Sequence, residues 1–388
     1  MAIQVLLGIA NRFKTKGIRQ GAEQLVSAIA DREGWTLDEL ADRTIPDAGF
    51  ARQTDENNEP IGDDACLELD YGPRKFSVRL DDELEPVITR EDGKTVKSPP
   101  VPAKDDDEEK AKAAKKAFSE AKKVVKDVVK RQAERFYEAV CTQRSWQFDD
   151  WSRYLNQHPI VSRLCGRLIW AAFEKPADGE DSDGRLLGCF RPLADGTLTN
   201  ETDDEAQFDA NCVVRLAHTA NLPAELQAAW TQHLKDYDVD PLFVQFGRET
   251  FKLPEAARNE TDLADFAGHQ ITTFKLRGKA TKLGFIRGDA EDGGCFFVYR
   301  KPFPSLRVQA VLEFTGNCLP EEDRPAALRT LSFTTMRSGQ EGESSWSPSK
   351  MPLGKVPPVL LSECYNDIRQ IAAEGTGFDP KWESKQYW

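Results

Sequence analysis

Several short motifs that mark well-known chemical sites are missing from this sequence. It has no GxxxxGK[ST] loop and no GxGxxG turn, the usual signatures of phosphate and dinucleotide binding. It has no GxSxG turn around a nucleophilic serine, and only four histidines could act as a base. These absences disfavour nucleotide-dependent enzymes and serine hydrolases, and we expect a protein without catalytic activity or a bound cofactor.

Cysteine spacing gives no sign of a metal site either. Eight cysteines are spread along the chain, and none forms a CxxC or CxxH pair of the kind that binds zinc. Scattered cysteines in a chain of this length are typical of buried, reduced thiols. We therefore expect reduced thiols and no metal site.

Long hydrophobic runs are also absent. No apolar run approaches the length of a membrane span, and no basic leader precedes an apolar core and cleavage site. The 388 residues are 39% hydrophobic and 30% charged, which is typical of a globular chain of two or three domains. A net charge of −13 repels nucleic acid and anionic membranes on average. We expect a cytoplasmic protein that does not bind membranes.

The first hundred residues divide into two predicted segments. Residues 1–46 show helical spacing, with a capping-box pattern at Thr36 and Glu39, and we interpret them as the end of an upstream helical region. A polar linker over residues 47–64 follows. Alternating apolar residues and turn signals then predict a β-meander over residues 65–98.

Residues 104–176 are predicted to be helical throughout. A long helix over about residues 105–140 carries an apolar stripe at spacings of three and four. Two further helices, "DDWSRYLNQ" and "PIVSRLCGRLIWAAFEK", meet at His158, for which we expect a role at the helix junction. The tryptophans of this region fit helix packing, and the alternative is the wall of a ligand site. They are Trp146, Trp151 and Trp170.

Residues 184–388 mix strands and helices, which predicts an α+β domain and an α+β fold for the chain as a whole. Most apolar runs here, from "RLLGCFRPL" to "TLSFTTMR", are predicted strands. We interpret "LFVQFGRETFKL" as a strand pair bent at Gly247 and "TDLADFAGHQITTFKL" as a helix. The closing helix, "VLLSECYNDIRQIAAEG", is predicted to end at Gly375.

The long helix is basic in an otherwise acidic chain. Residues 110–131 carry nine basic residues against two acidic ones. This face could contact phosphates or an acidic protein surface, and the alternative is a solvated helix face. No aromatic residues lie between the lysines, which disfavours binding of single-stranded nucleic acid. The candidate interaction residues are Lys115, Lys116, Lys122, Lys123, Lys126, Lys130 and Arg131.

Four further residues are candidates for binding or chemistry. His218 ends a predicted strand, where it could act as a base or make a local hydrogen bond. Arg287 and Asp292 lie in "RGDAEDGG", which is either a hairpin loop or a rim that binds a partner group. If the protein is an enzyme, we expect His218, Arg248 and Arg287 to converge in one pocket.

Six motifs occur in an order that resembles one bacterial family. They are "LDELADRTIPDAGF", "LELDYGPRKFSVRLDDELEPVITREDGK", "WSRYLNQHPIVSRLCGRLIW", "VVRLAH", "VQFGR" and "FIRGDAEDGG", with the Lys-rich helix after the second. From about residue 17 onwards, the chain resembles the conserved C-terminal region of MolR-like proteins, described as molybdate metabolism regulators with a domain of unknown function. The resemblance implies a regulatory role and brings no catalytic residues with it.

The same resemblance implies further parts and partners. MolR-like proteins often carry upstream helical repeats and a WGR domain, but no Trp-Gly-Arg occurs in this sequence. Some are associated with AAA+ ATPases and von Willebrand A-type proteins, which the resemblance therefore implies as protein partners. We expect first a non-enzymatic, cytoplasmic regulatory or scaffold module that acts through protein–protein contacts. The alternatives are a nucleic-acid-associated regulator that uses the Lys110–Arg131 helix face, and an uncharacterised enzyme.

Overall fold

The computed structural model divides the chain into two compact units, Met1–Gly247 (unit 1) and Arg248–Trp388 (unit 2). It describes residues 2–12, 15–51, 65–89, 94–175, 184–336, 349–385 and 387. Helices and antiparallel sheets occur in both units, which confirms the predicted α+β class. The boundary between the units falls inside the predicted 184–388 segment. Most of the predicted 47–64 linker lies outside the described residues.

Unit 1 begins with three helices, as the apolar spacing predicts. Thr36 caps the third, because its side chain accepts from Glu39 N at 3.1 Å while the Glu39 carboxylate accepts from Thr36 N at 2.7 Å. This reciprocal pair is the predicted capping box. The helices are α1 (Ala2–Arg12), α2 (Lys16–Glu33) and α3 (Leu37–Arg43).

A four-stranded antiparallel meander follows, in the order β1-β2-β3-β4. Phe76, Val78 and Leu80 alternate with more exposed residues and point into the core, which confirms the predicted two-residue period. The strands are β1 (Leu67–Asp70), β2 (Lys75–Leu80), β3 (Pro86–Thr89) and β4 (Thr95–Val96).

One helix of 35 residues, α4 (Glu108–Thr142), follows the meander. Its buried side chains, from Ala111 to Val140, recur every three or four residues, so one face packs inward along the whole length. The N-terminal half contacts β1 and β3, and α4 also contacts elements that come after it in the chain. The predicted long helix is therefore confirmed.

The segment after α4 is only partly helical, which corrects the prediction for "PIVSRLCGRLIWAAFEK". The helix ends at Cys165, and Trp170–Phe173 forms a fully buried strand between two others. A short apolar run buried on both faces has no period that separates strand from helix. The elements are β5 (Ser145–Gln147), α5 (Phe148–Trp151), a π-helical turn (Ser152–Asn156), α6 (Val161–Cys165) and β6 (Trp170–Phe173).

The three tryptophans of this region form one buried cluster, which confirms a packing role for them. The Trp170 ring meets those of Trp146 and Trp151 at centroid distances of 5.6 and 5.3 Å. Phe136 of α4 meets Trp170 edge-on at 5.6 Å. Edge-to-face contacts of this kind are favourable between aromatic rings. Trp146 and Trp170 lie on strands, so the cluster joins α4 to a sheet.

A five-stranded antiparallel sheet completes unit 1, in the order β5-β9-β6-β7-β8. Trp230 of α7 packs on one core cluster with Ile169, Phe173 and Phe246. The remaining elements of unit 1 are β7 (Leu186–Pro192), β8 (Leu198–Thr199), β9 (Val213–Leu216) and α7 (Ala224–Asp236).

In its described residues, unit 2 is a seven-stranded antiparallel sheet with two α-helices. The strand order is β12-β13-β14-β15-β11-β16, and β10 also pairs with β15. The elements are β10 (Asp262–Leu263), β11 (His269–Thr272), α8 (Thr273–Lys282), β12 (Ile286–Arg287), β13 (Phe296–Phe303), β14 (Val308–Asn317), β15 (Pro325–Thr335), α9 (Pro358–Ala373) and β16 (Gly377–Phe378).

The predicted strand pair around Gly247 is wrong. The chain after Gly247 instead lies along α9, whose polar side chains bind its backbone. Ser362 Oγ accepts from Phe251 N, and Asn366 Nδ2 donates to Glu249 O, each at 2.9 Å. These side-chain contacts take the place of a strand partner.

The predicted helix "TDLADFAGHQITTFKL" is also wrong over its first twelve residues, 261–272. Its backbone pairs with β15, as in Asp262 opposite Ser332 and Ile271 opposite Ala326, so helix α8 begins only at Thr273. The closing helix α9 is confirmed. A side chain at Gly375 would meet the carbonyl oxygen of Gln270 at 2.0 Å, so a glycine is required just after α9 ends.

The cysteines follow the expectation with one exception. Six are buried thiols, as predicted: Cys66, Cys141, Cys165, Cys189, Cys212 and Cys364. Cys295 and Cys318 form a disulfide, so the expectation of reduced thiols is wrong for this pair. The pair lies where β13 begins and β14 ends, next to Phe296 opposite Asn317, and adjacent positions on paired strands bring two cysteines together.

Candidate interaction surface

The basic face of α4 is built by a helix with a defined start and end. The Asp107 side chain caps the first turn by accepting from Lys110 N at 3.0 Å, and Glu108 and Glu109 suit the positive end of the helix dipole. Gln143 adopts the left-handed conformation that ends the helix. Because apolar residues fill the inward face, the lysines project to solvent.

The structure divides the seven predicted candidates of α4 into two groups. Three already have protein contacts. Lys122 pairs with Glu85 at 2.6 Å, and Lys116 lies 3.8 Å from Glu120 one turn later. Arg131 Nη1 donates to Gln4 O of α1 at 3.0 Å, so this residue serves packing between helices.

The other four candidates form what we call the lysine face. Within the described part of the chain, no ion pair engages these four exposed lysines. At 1.5 Å per residue, the face extends over about 22 Å on the surface of a single helix. Its members are Lys115, Lys123, Lys126 and Lys130.

Two histidines considered from the sequence make local hydrogen bonds. His158 Nδ1 accepts from the backbone N–H groups of Ile160 and Val161 at 3.2 Å, and its Nε2 lies 3.3 Å from Ile45 O. It is therefore a junction residue at the start of α6, as predicted. His218 is buried at the end of β9, and its Nδ1 accepts from Ala220 N at 3.1 Å.

The remaining candidates lie in different settings. Arg248 Nη1 lies 2.6 Å from Glu363 and 3.9 Å from Asp367 of α9. Arg287 lies over the Phe296 ring at 3.8 Å. Both belong to unit 2, whereas His218 belongs to unit 1. The convergence of these three residues in one pocket stays a prediction, and the side chain of Asp292 is outside the described residues.

A buried histidine in unit 1 was missed by the sequence analysis. Arg191 Nε donates to His233 Nε2 at 3.1 Å, and His233 Nδ1 lies 3.2 Å from an Asp203 carboxylate oxygen. This geometry holds a neutral imidazole that donates from Nδ1. Burial, and then the charge of Arg191, lower the pKa of His233. Three distant segments supply these groups, so no local motif signals them.

We expect unit 1 to lose stability as the pH falls below about 6.5. Burial also lowers the pKa of His158. The unfolded chain therefore takes up protons before the folded chain does, so stability is complete above the ordinary histidine pKa of about 6.5 and falls towards the lower folded values. Asp203 and Asp236 face His233 and oppose this effect, but burial and Arg191 outweigh them.

The test compares the wild-type chain with a His158→Asn, His233→Gln double variant. Denaturant midpoints of unit 1 between pH 7.5 and 5.5 should fall more steeply for the wild type. Both substitutes can form hydrogen bonds but do not titrate in this range. Equal slopes for the two proteins would contradict the assignment of neutral histidines.

A second group missed from the sequence is a buried ion pair in unit 2. Lys301 Nζ donates to Asp367 Oδ2 at 2.6 Å, and the two residues are 5% and 0% exposed. Burial raises the pKa of Asp367, while Lys301 opposes that rise. The pair joins β13 to α9, which gives it a structural role.

Neither a metal-binding cluster nor a membrane-spanning helix occurs among the described residues. Among them, no group of three or more His, Cys, Asp or Glu side chains is arranged to hold a metal ion. The same residues include no helix that combines the length and the apolar character needed to cross a membrane.

The chain matches a domain family over part of its length, and it is similar to a curated bacterial protein. Residues 93–285 match the family model described as "Domain of unknown function (DUF4132)". The chain is 30% identical over 282 residues to "Uncharacterized protein YehI" of Escherichia coli (strain K12), a match that covers 73% of this chain. It covers 22% of the relative, so the chain spans about a fifth of that protein's length. No solved structure matches the chain.

Proposed function

We propose that this chain is a non-enzymatic regulatory or scaffold module that acts in the cytoplasm by binding an acidic surface of a partner protein. The observation that carries the proposal is the lysine face of α4, which is positive, exposed and free of ion pairs within the described residues. Such a face attracts a negative partner and sets its orientation.

The rigidity of α4 supports this proposal. The helix is fixed by its cap, by its buried apolar face and by the contact of Arg131 with α1. A partner that binds the lysine face therefore meets charges whose backbone positions are already ordered, which lowers the entropic cost of binding. Lysine is a point charge on a flexible stem, and it adapts to carboxylates in varied arrangements.

The MolR-like resemblance gives this proposal its candidate partners. It implies AAA+ ATPases and von Willebrand A-type proteins, and we propose these classes as the first to test. The DUF4132 match and the relative add no activity to this proposal, since their names describe none.

The test is a charge reversal on the lysine face. We expect Lys115→Glu, Lys123→Glu and Lys126→Glu together to reduce capture of the partner at least about tenfold, because attraction becomes repulsion. The bait is the full chain in nuclease-treated lysate of the native host. A photo-cross-linking residue at position 119, an exposed serine between the lysines, identifies the protein bound at this face.

A matched control has the same change in net charge at exposed lysines of unit 2. It carries Lys252→Glu, Lys355→Glu and Lys381→Glu. The proposal requires a cross-linked protein that the wild type and this control capture and the first variant does not. Equal capture by all three proteins would contradict it, and loss of capture on nuclease treatment would favour a nucleic-acid partner for α4.

A further inference from the structure

Unit 2 contains a basic segment that is separate from the lysine face. Residues 274–287, "FKLRGKATKLGFIR", contain five basic residues and no acidic residue in a chain of net charge −13. They form most of α8, the turn after it and β12. The five are Lys275, Arg277, Lys279, Lys282 and Arg287.

Among the described residues, one of these five charges is balanced by a carboxylate, and a second contacts the backbone oxygen of the same residue. Lys279 Nζ lies 3.4 Å from the Glu374 carboxylate, and Lys275 Nζ donates to the backbone oxygen of Glu374 at 3.2 Å. Arg277 donates to the neutral backbone oxygen of Pro320 at 3.0 Å. Across the described ranges, no carboxylate pairs with Arg277, Lys282 or Arg287, so their positive charge is available to a partner.

The two arginines lie over aromatic rings. The Arg277 guanidinium is 4.6 Å from the centroid of Phe274, and that of Arg287 is 3.8 Å from the centroid of Phe296. Phe274 is 38% exposed. Cation–π contacts orient a guanidinium and leave its other face accessible. The surface therefore combines ordered positive charge with exposed apolar area, which the lysine face does not.

The two arginines lie close to one region of unit 2. Helix α8 contacts β12, and Arg287 is opposite Tyr299 in the pairing of β12 with β13. Burial raises the pKa of Tyr299, and the charges of both Arg277 and Arg287 oppose that rise. Both guanidinium groups are therefore near the same tyrosine.

Acidic residues mark the limits of this surface. Asp323 accepts from Phe274 N at the start of α8, and Asp289 lies 3.3 Å from Arg300 just after β12. A negative ligand would be repelled at both ends and held between them. This pattern favours a ligand that lies between Arg277 of α8 and Arg287 of β12.

We propose that this surface, formed by Phe274, Arg277, Arg287 and Phe296, binds single-stranded nucleic acid. The two arginine side chains would contact phosphates, and the exposed ring of Phe274 would stack on a base. A duplex offers the same phosphates but hides the faces of its bases, so it would use only part of the surface. An acidic protein would gain little from the aromatic rings.

The test measures binding of a fluorescently labelled 20-nucleotide poly(dT) strand to the full chain by anisotropy. We expect Arg277→Ala with Arg287→Ala to weaken binding at least about tenfold and to reduce the slope of log K against log salt by about 1.4, because two phosphate contacts are lost. Phe274→Ala should weaken binding by about fivefold or more at every salt concentration, because a stacked base is lost. A duplex of equal length should bind more weakly.

The triple glutamate variant of the lysine face is the matched control, and it should bind poly(dT) as the wild type does. This separates the inference from the proposed function, since either surface can fail alone. No binding of poly(dT) by the wild type at low salt would overturn the inference. So would unchanged binding in the double arginine variant, loss of binding in the lysine-face variant alone, or equal affinity for duplex and single strand.

Discussion

Lys301→Met is expected to destabilise unit 2 by about 3–5 kcal/mol, the usual effect of removing one partner from a buried ion pair. Asp367 would keep a buried carboxylate whose close ammonium partner is gone, and the nearest other cation, Arg248, is 3.9 Å away and pairs with Glu363. Hydrogen exchange of peptides from α9 during urea unfolding measures this loss within unit 2.

Two variants show whether the buried charge causes this effect. In a Lys301→Met, Asp367→Leu double variant, most of the stability should return, because apolar side chains of suitable volume can replace a buried pair. Lys350→Met is the control at a more accessible pair, where Lys350 contacts Asp262 at 2.6 Å, and should cost about 0–1 kcal/mol. If Lys301→Met proves as mild as Lys350→Met, Asp367 is not held as a buried charge.

Trp170→Ala is expected to destabilise unit 1 by about 3–5 kcal/mol, the range for truncating a large buried aromatic side chain. Trp170 is fully buried and contacts the rings of Phe136, Trp146 and Trp151. Its removal leaves a cavity that rigid neighbours from α4 and two strands cannot fill. The midpoint of urea unfolding of unit 1 measures the change.

Leu187→Ala on the adjacent strand β7 is the matched control. Leu187 is 40% exposed, so its truncation should cost less than about 1 kcal/mol. Trp170→Phe should fall between the two, because it keeps one ring in the cluster. An alanine variant at Trp170 as stable as the Leu187 variant would show that the tryptophan cluster does not stabilise the unit.

Elements with a clear local pattern could be predicted from the sequence. The capping box at Thr36, the alternation of β2 and the apolar stripe of α4 each appear in the structure where the pattern places them. Each of these elements has one buried and one exposed face, so burial leaves a period in the sequence.

The errors occur where burial or long-range pairing removes that period. Strand β6 is buried on both faces, so its apolar run looked like a helix that continued from α6. The segment after Gly247 is held by the side chains of Ser362 and Asn366, more than a hundred residues away. The local sequence of neither segment indicates these partners.

The candidate surfaces also differ in how much of each could be predicted from local sequence. The lysines of α4 are identifiable because they alternate with the apolar stripe, but the contact of Arg131 with α1 depends on tertiary packing. In α8, Phe274 and Arg277 are three residues apart, so they lie on the same side of the helix. The lack of acidic residues over 274–287 also marks the segment as basic, so both features could have been found from the sequence. The stacking of Arg287 on Phe296 needs a hairpin register that the sequence does not state.

The contacts of helix α4 also restrict which insertions into this helix unit 1 can accept. Its first half contacts β1 and β3 of the meander. It also contacts helix α6 and strand β9, which belongs to the five-stranded sheet. A helix advances about 1.5 Å and turns about 100° with each residue, so one inserted residue would rotate one sheet's contact face away from its partner. Seven inserted residues would nearly restore the phase and separate the two contact regions by about 10 Å more. Relatives that keep both sheets on this helix should therefore differ in its length by whole heptads.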